Sequence, residues 1–165
     1  VNNAGVTKYG PWSDLDAVST DDWNRLLRVN LLGAWYCTRA AARGMRERGG
    51  GAVVNVTSDS VFTFDSTSMP YVVTKAALVS LTRTLALTLA PAIRVNAVAP
   101  GWMDTPWLER NIPAEVVAGI TADPAQMVPL PEVAAEIVRL LGSPEETGRV
   151  MLMLPGASPR DIPPM

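Results

Sequence analysis

Ala52-Val53-Val54-Asn55-Val56-Thr57-Ser58 decides the fold, read together with Tyr71-Val72-Val73-Thr74-Lys75, which opens thirteen residues after Ser58. Residues Ala52 to Thr57 are rich in β-branched side chains and bounded by turn formers, so they read as a buried strand. From Tyr71 to Leu89, apolar residues at Ala76, Ala77, Leu78, Leu81, Leu85 and Leu89 fit a long helix that Pro91 stops. Ile93 to Val98 reads as a second buried strand, closed by Pro100-Gly101. Upstream, Ser19-Thr20-Asp21-Asp22 is a helix start with Ser19 or Thr20 as cap. Apolar spacing carries that helix to about Glu47, and Gly49-Gly50-Gly51 ends it. Asn2 to Gly5 reads as the exit from a strand. Residues 102–130 form a Pro- and Trp-containing insertion, Pro131 to Leu141 a helix, Gly148 to Leu154 a third strand, and 157–165 a polar tail. Such alternation predicts an α/β domain, a doubly wound parallel sheet with helices on both faces. The three strands should lie side by side in chain order.

With 165 residues the chain fits a single domain with a real core. Hydrophobic residues are 48%, charged residues 18% and the net charge is -2, an ordinary composition without the basic excess of a nucleic-acid binder. Apolar runs are broken by Arg, Asn, Pro or Gly, so no membrane span is expected. Cys37 is the one cysteine, which excludes an internal disulfide and suits a cytoplasmic setting. The absence of histidine removes Ser-His-Asp and Cys-His catalysis and the usual zinc sets.

Chemistry must therefore come from Tyr, Lys, Ser, Asn or carboxylates. Tyr71 and Lys75 stand four apart on a helix and share a face. An adjacent ammonium favours tyrosinate, which would lower the phenol's pKa and fit it for proton transfer. Taken alone, Y-x-x-x-K occurs by chance in many chains. Ser58 ends a strand at the carboxyl edge of a parallel sheet, where α/β ligands bind, and could bond a carbonyl or alcohol; alone it is a loop serine. Asn30 lies among apolar residues in a helix interior, either as an exposed polar position or as a buried amide that holds a water near Lys75. Pro100-Gly101, with Thr105 shortly after, is either a plain loop or a turn whose backbone can approach a ligand closely. In the lid and the loop before Tyr71, Trp102, Met103, Trp107, Leu108, Met127, Phe62, Phe64 and Met69 suggest apolar walls, while Asp59 and Asp65 could bond a polyol or cap turns.

The order and spacing of these signals are specific where each alone is weak. N-N-A-G at Asn2–Gly5, V-N-L at Val29–Leu31, N-V-T-S at Asn55–Ser58, Y-V-V-T-K at Tyr71–Lys75 and R-V-N-A-V-A-P-G at Arg94–Gly101 together resemble the successive motifs of the short-chain dehydrogenase/reductase family, in its classical branch. The resemblance implies a partial Rossmann-like sheet and hydride transfer between NAD or NADP and a small-molecule carbonyl/alcohol substrate. It makes Tyr71 the acid/base and Lys75 the residue that binds the nicotinamide ribose and depresses the tyrosine pKa. Ser58 would orient the reacting oxygen, and Asn30 would anchor a relay water. Asn3 and Gly5 would flank the adenosine side of the cofactor, and Pro100, Gly101, Met103 and Thr105 the nicotinamide. The family's Gly-rich phosphate turn has no counterpart here, since Gly49-Gly50-Gly51 precedes a strand instead of following one. Residues 1–165 therefore read as one amino-terminally truncated NAD(P)-binding domain, weakly active or inactive by itself. The competing reading is a non-catalytic relative that acts as an oligomerisation module. Pairing between copies is expected through the helices near 22–47 and 71–89.

Overall fold

Strands β1 (Gly51–Val56) and β2 (Ile93–Pro100) pair in parallel with Val53 opposite Val95, and β2 pairs in parallel with β3 (Val150–Met153). The sheet order is β1-β2-β3-β4, as the alternation of elements predicts for its first three members. The structure is a computed structural model that describes residues 1–64, 66 and 68–164. Asp65 lies outside the described residues.

The expected exit from an upstream strand is visible at Asn2. Its N–H donates to Val54 O at 2.9 Å, and its carbonyl accepts from Val56 N–H at 3.0 Å, a parallel bridge on the free edge of β1. The polar tail adds a strand to the sheet. Arg160–Asp161 forms β4, antiparallel to β3, and Arg149 pairs with Asp161 across it at 2.6 Å. Arg83 holds the same tail by donating to Ile162 O and Pro163 O.

The helix predicted up to Glu47 is one rod in three parts: α1 (Thr20–Leu26), a π-helical turn (Leu27–Leu32) and α2 (Gly33–Glu47). Ser19 caps it in a reciprocal capping box with Asp22, which satisfies two orphan donors. After β1 come α3 (Ser60–Thr63) and α4 (Met69–Leu89); after β2 come α5 (Pro106–Asn111), α6 (Ala114–Thr121) and α7 (Leu130–Gly142). Among the described residues, α4 is long and apolar enough by length and composition to cross a membrane, contrary to the reading of short broken runs. Its apolarity has a local cause. Val72, Leu78, Val79, Ala86 and Leu89 are buried, and Thr82 takes a hydrogen bond from Asn55 Nδ2 at 2.9 Å in the interior.

Helices cover both faces of the sheet. Val54, Val56 and Val98 pack with Val133 and Leu140 of α7 on one side, whereas Val53, Ile93 and Val95 pack with Ala42 of α2 and Ala86 and Leu89 of α4 on the other. Burying a Val or Leu side chain fully contributes roughly 1.5–3 kcal/mol, so this double-sided core is the main source of stability. Polar groups fasten the strand ends. Arg94 donates to Leu140 O and Leu141 O at the end of α7, and Asn96 joins Glu146 O to Arg149 N.

Candidate active site

The carboxyl ends of β1 and β2 open onto a cavity of about 600 Å³, with α5 and α7 on its far side. Nine of the ten residues singled out by sequence line it: Asn3, Gly5, Ser58, Tyr71, Lys75, Pro100, Gly101, Met103 and Thr105. Asn30 does not line it and stands behind it instead.

Ser58 follows the last paired residue of β1 and sits at the centre of a hydroxyl cluster. It accepts from Ser60 N–H at 3.2 Å and from Ser60 Oγ at 2.9 Å, and its own Oγ approaches Asp59 Oδ1 at 3.3 Å. Tyr71 shares the cavity wall with Ser58, near enough for the serine hydroxyl to bear on its ionisation. Pro70 at the start of α4 suits the first turn, where its missing N–H costs nothing, and helical spacing then stacks Lys75 one turn beyond Tyr71. Lys75 Nζ lies 5.6 Å from the Tyr71 ring centroid and donates to Val56 O at 2.8 Å.

The direction of the Tyr71 shift corrects the expectation. Its hydroxyl is held above the ordinary phenol value, because burial disfavours the anion and the Asp59 carboxylate adds repulsion; the Ser58 hydroxyl pulls the other way. Lys75 cannot offset this, since burial lowers its own pKa to about 8 and so weakens its hold on the proton.

Asn30 is 1% exposed, which decides between the two readings of that position in favour of a buried amide. Its Oδ1 accepts from Val6 N–H and its Nδ2 donates to Val6 O, both at 2.9 Å, and Nδ2 also donates to Thr74 Oγ1 at 3.0 Å. Asn30 thus ties the Asn2–Val6 loop to α4 one residue before Lys75. A Cβ at Gly5 would lie 3.5 Å from Lys75 Nζ, an ordinary contact distance, so the loop backbone passes directly beside the buried ammonium. A Cβ at Gly101 would lie 3.2 Å from Asp59 Oδ2 and 3.3 Å from Val128 Cγ2, a tight backbone approach.

Sequence reasoning missed three participants. Ser60 is a buried partner of Ser58, and Thr74 bridges Asn30 to the Tyr71 carbonyl. Trp107 was read as an apolar wall, but its indole N–H also donates to Gly5 O at 2.9 Å and its ring lies 5.9 Å from that of Tyr71. Only the aromatic residue type hinted at it. No cluster of three or more His, Cys, Asp or Glu suited to a metal occurs among the described residues.

A mainly parallel sheet with helices on both faces, and with Ser, Tyr and Lys gathered at the carboxyl end of β1, defines a class that comparison makes specific. The family profile described as enoyl-(acyl carrier protein) reductase matches residues 1–156. The chain is 39% identical over 146 residues to cis-4-hydroxycyclohexanecarboxylate dehydrogenase of Sinomonas cyclohexanicum, covering 87% of this chain and 57% of that protein. It is 34% identical to 3-oxoacyl-[acyl-carrier-protein] reductase of Aquifex aeolicus, with coverages of 93% and 56%. Among solved structures, gluconate 5-dehydrogenase of Burkholderia cenocepacia in complex with NADP and tartrate aligns with TM-score 0.78 at 30% identity, over 92% of this chain and 60% of that one. The 3-oxoacyl-[acyl-carrier protein] reductase of Brucella melitensis with bound NAD aligns with TM-score 0.76 at 33% identity, over 92% and 58%. The chain belongs to the short-chain dehydrogenase/reductase family, and it spans little more than half the length of the relatives it matches.

Proposed function

We propose that the protein is an NAD(P)-dependent oxidoreductase that interconverts a carbonyl and an alcohol, with Tyr71 as proton donor and acceptor. The observation that carries this reading is the convergence of Ser58, Tyr71 and Lys75 on the wall of one 600 Å³ cavity, with Lys75 Nζ 5.6 Å from the Tyr71 ring centroid. A bound nicotinamide would supply or take the hydride. In the reducing direction Tyr71 hands its phenolic proton, which a phenol retains at neutral pH, to the carbonyl oxygen. Ser60 fixes the Ser58 oxygen, and the Ser58 hydroxyl, which points to Asp59 across a long 3.3 Å contact, turns from it to hold the reacting oxygen. Lys75 presents a cation to the ribose side, and Asn30 positions the α4 segment that carries both Tyr71 and Lys75.

The residues fit the nicotinamide end of such a cofactor. Gly5 and Lys75 lie side by side on the cavity wall, and the Pro100–Thr105 segment brings backbone to the same cavity. No Gly-rich turn from strand into helix, the usual cradle for a pyrophosphate, occurs among the described residues. We therefore read residues 1–165 as one NAD(P)-binding domain whose described residues supply the nicotinamide end of the site and no phosphate cradle. Cys37 is a free exposed thiol, in keeping with a cytoplasmic protein. The test is Tyr71→Phe in a chain extended upstream of Val1, assayed for NADH- and NADPH-dependent carbonyl reduction. Turnover should fall at least about a thousandfold while cofactor affinity holds. Retained turnover would remove Tyr71 from the acid/base role.

A further inference from the structure

We infer that Arg110 makes this site select an anionic substrate, a carbonyl or alcohol compound bearing a carboxylate. The inference rests on the reading of Ser58 and Tyr71 as the reacting centre, and it names the substrate class. Three charged side chains line the cavity: Asp59, Lys75 and Arg110. Two are committed. Lys75 is 4% exposed and donates to Val56 O, and Asp59 receives the Ser58 hydroxyl. Arg110 is exposed and, among the described residues, has no hydrogen-bond or ion-pair partner. A guanidinium on a cavity wall with its donors unspent is suited to bidentate capture of a carboxylate.

Its place on α5 strengthens the case. Trp107 and Arg110 stand three residues apart on this helix, so one face carries both, and both line the cavity. Trp107 is held by its bond to Gly5 O and lies against Tyr71, so this face is fixed relative to the reacting centre. Met103, Leu130 and Ile137 add apolar wall. The combination fits a molecule with an apolar body and one anionic end. Asp59 sets the orientation, because a carboxylate placed beside it and Ser58 would be repelled. The anionic end is therefore held at Arg110, and the neutral oxygen faces Ser58 and Tyr71.

The test is calorimetric titration of the 165-residue chain with cyclohexanecarboxylate and with its neutral isostere, cyclohexanecarboxamide. The acid should bind roughly tenfold or more tighter than the amide, the worth of one charge-assisted pair. Arg110→Gln should abolish that preference, Arg110→Lys should keep part of it, and Glu109→Gln on the same helix should leave it unchanged. Equal binding of acid and amide by the unsubstituted chain, absence of binding by either, or a preference that survives Arg110→Gln would overturn the inference. NADH and NADPH titrated into the same variants separate the other source of anion. A loss of cofactor affinity in Arg110→Gln with the acid preference intact would assign Arg110 to a cofactor phosphate and refute the substrate role. Tyr71→Phe should keep the preference, so a failure of the oxidoreductase reading and a failure of this one give different results.

Discussion

Replacing Lys75 by Met should change how stability depends on pH. Lys75 is buried, and its pKa falls from 10.5 to about 8 through burial alone. Between those values the folded chain binds fewer protons than the unfolded one, so stability rises with pH across that window. The penalty for the buried ammonium is fully present below pH 8 and gone above pH 10.5. The gap corresponds to roughly 3 kcal/mol, of which about 2 kcal/mol should be relieved between pH 7 and 9.5. Lys75→Met removes the titrating group and leaves Val56 O without its donor, a cost of about 1–3 kcal/mol that does not vary with pH. The assay is urea unfolding of both chains at several pH values, taking the difference at each. Tyr71, whose raised pKa lowers stability only above pH 10, enters both chains alike and cancels. The variant should gain on the wild type by about 2 kcal/mol as pH falls from 9.5 to 7. A difference that stays constant within about 0.5 kcal/mol would mean that Lys75 titrates at its ordinary value, and the burial reasoning would fail.

Asn30→Ala removes three hydrogen bonds and orphans the Val6 N–H, which should cost about 2–4 kcal/mol in urea unfolding; a cost under about 1 kcal/mol would deny it the fastening role. The isolated 165-residue chain should self-associate, because among the described residues the edge of β1 away from β2 is bridged only at Asn2 and because Tyr36, Val73 and Leu87 are exposed on the long helices. Light scattering that finds a stable monomer at high concentration would contradict this. The same chain should bind NAD(H) and NADP(H) more weakly than micromolar, since its contacts reach only the nicotinamide end; micromolar affinity by calorimetry would show that the phosphate cradle is dispensable.

The sheet was legible because each strand is a short apolar run between turn formers and each helix repeats its apolar residues at helical spacing. Nine of the ten site residues reached one cavity because parallel strands deliver their carboxyl ends to one edge, so Ser58 and Pro100–Gly101 converge whatever the substrate. Three things were not legible. β4 is two polar residues long and exists because Asp161 can meet Arg149 and the Val150 N–H, a tertiary pairing without periodicity. The sign of the Tyr71 shift depends on the competition between desolvation and a neighbouring ammonium, and spacing reveals the neighbour but not the depth of burial. The bond from Trp107 to Gly5 spans 102 positions in the chain and leaves no local trace.

The π-helical turn shows how a departure from regular geometry can be compelled by sequence. Leu26, Asn30, Ala34, Thr38 and Ala42 are all buried, at a strict interval of four. An α-helix turns about 100° per residue, so four residues overshoot a full turn by roughly 40° and four such steps drift by roughly 160°. Residues spaced this way could not all face the same interior on a regular helix. One wider turn absorbs the excess, and it falls at Leu27–Leu32, where Gly33 N–H reaches back to Arg28 O. The turn therefore keeps Leu26 and Ala34 in the interior while Asn30 meets Val6 on one side and Thr74 on the other. Deleting Leu31 or Leu32 would restore an α-helical register and swing one flank away from the interior, so the bond from Asn30 to Thr74 and the packing at Thr38 and Ala42 could not both survive. Asn30 is thus where the long helix, the Asn2–Val6 loop and α4 are held in a common register, and that register brings Gly5 beside Lys75.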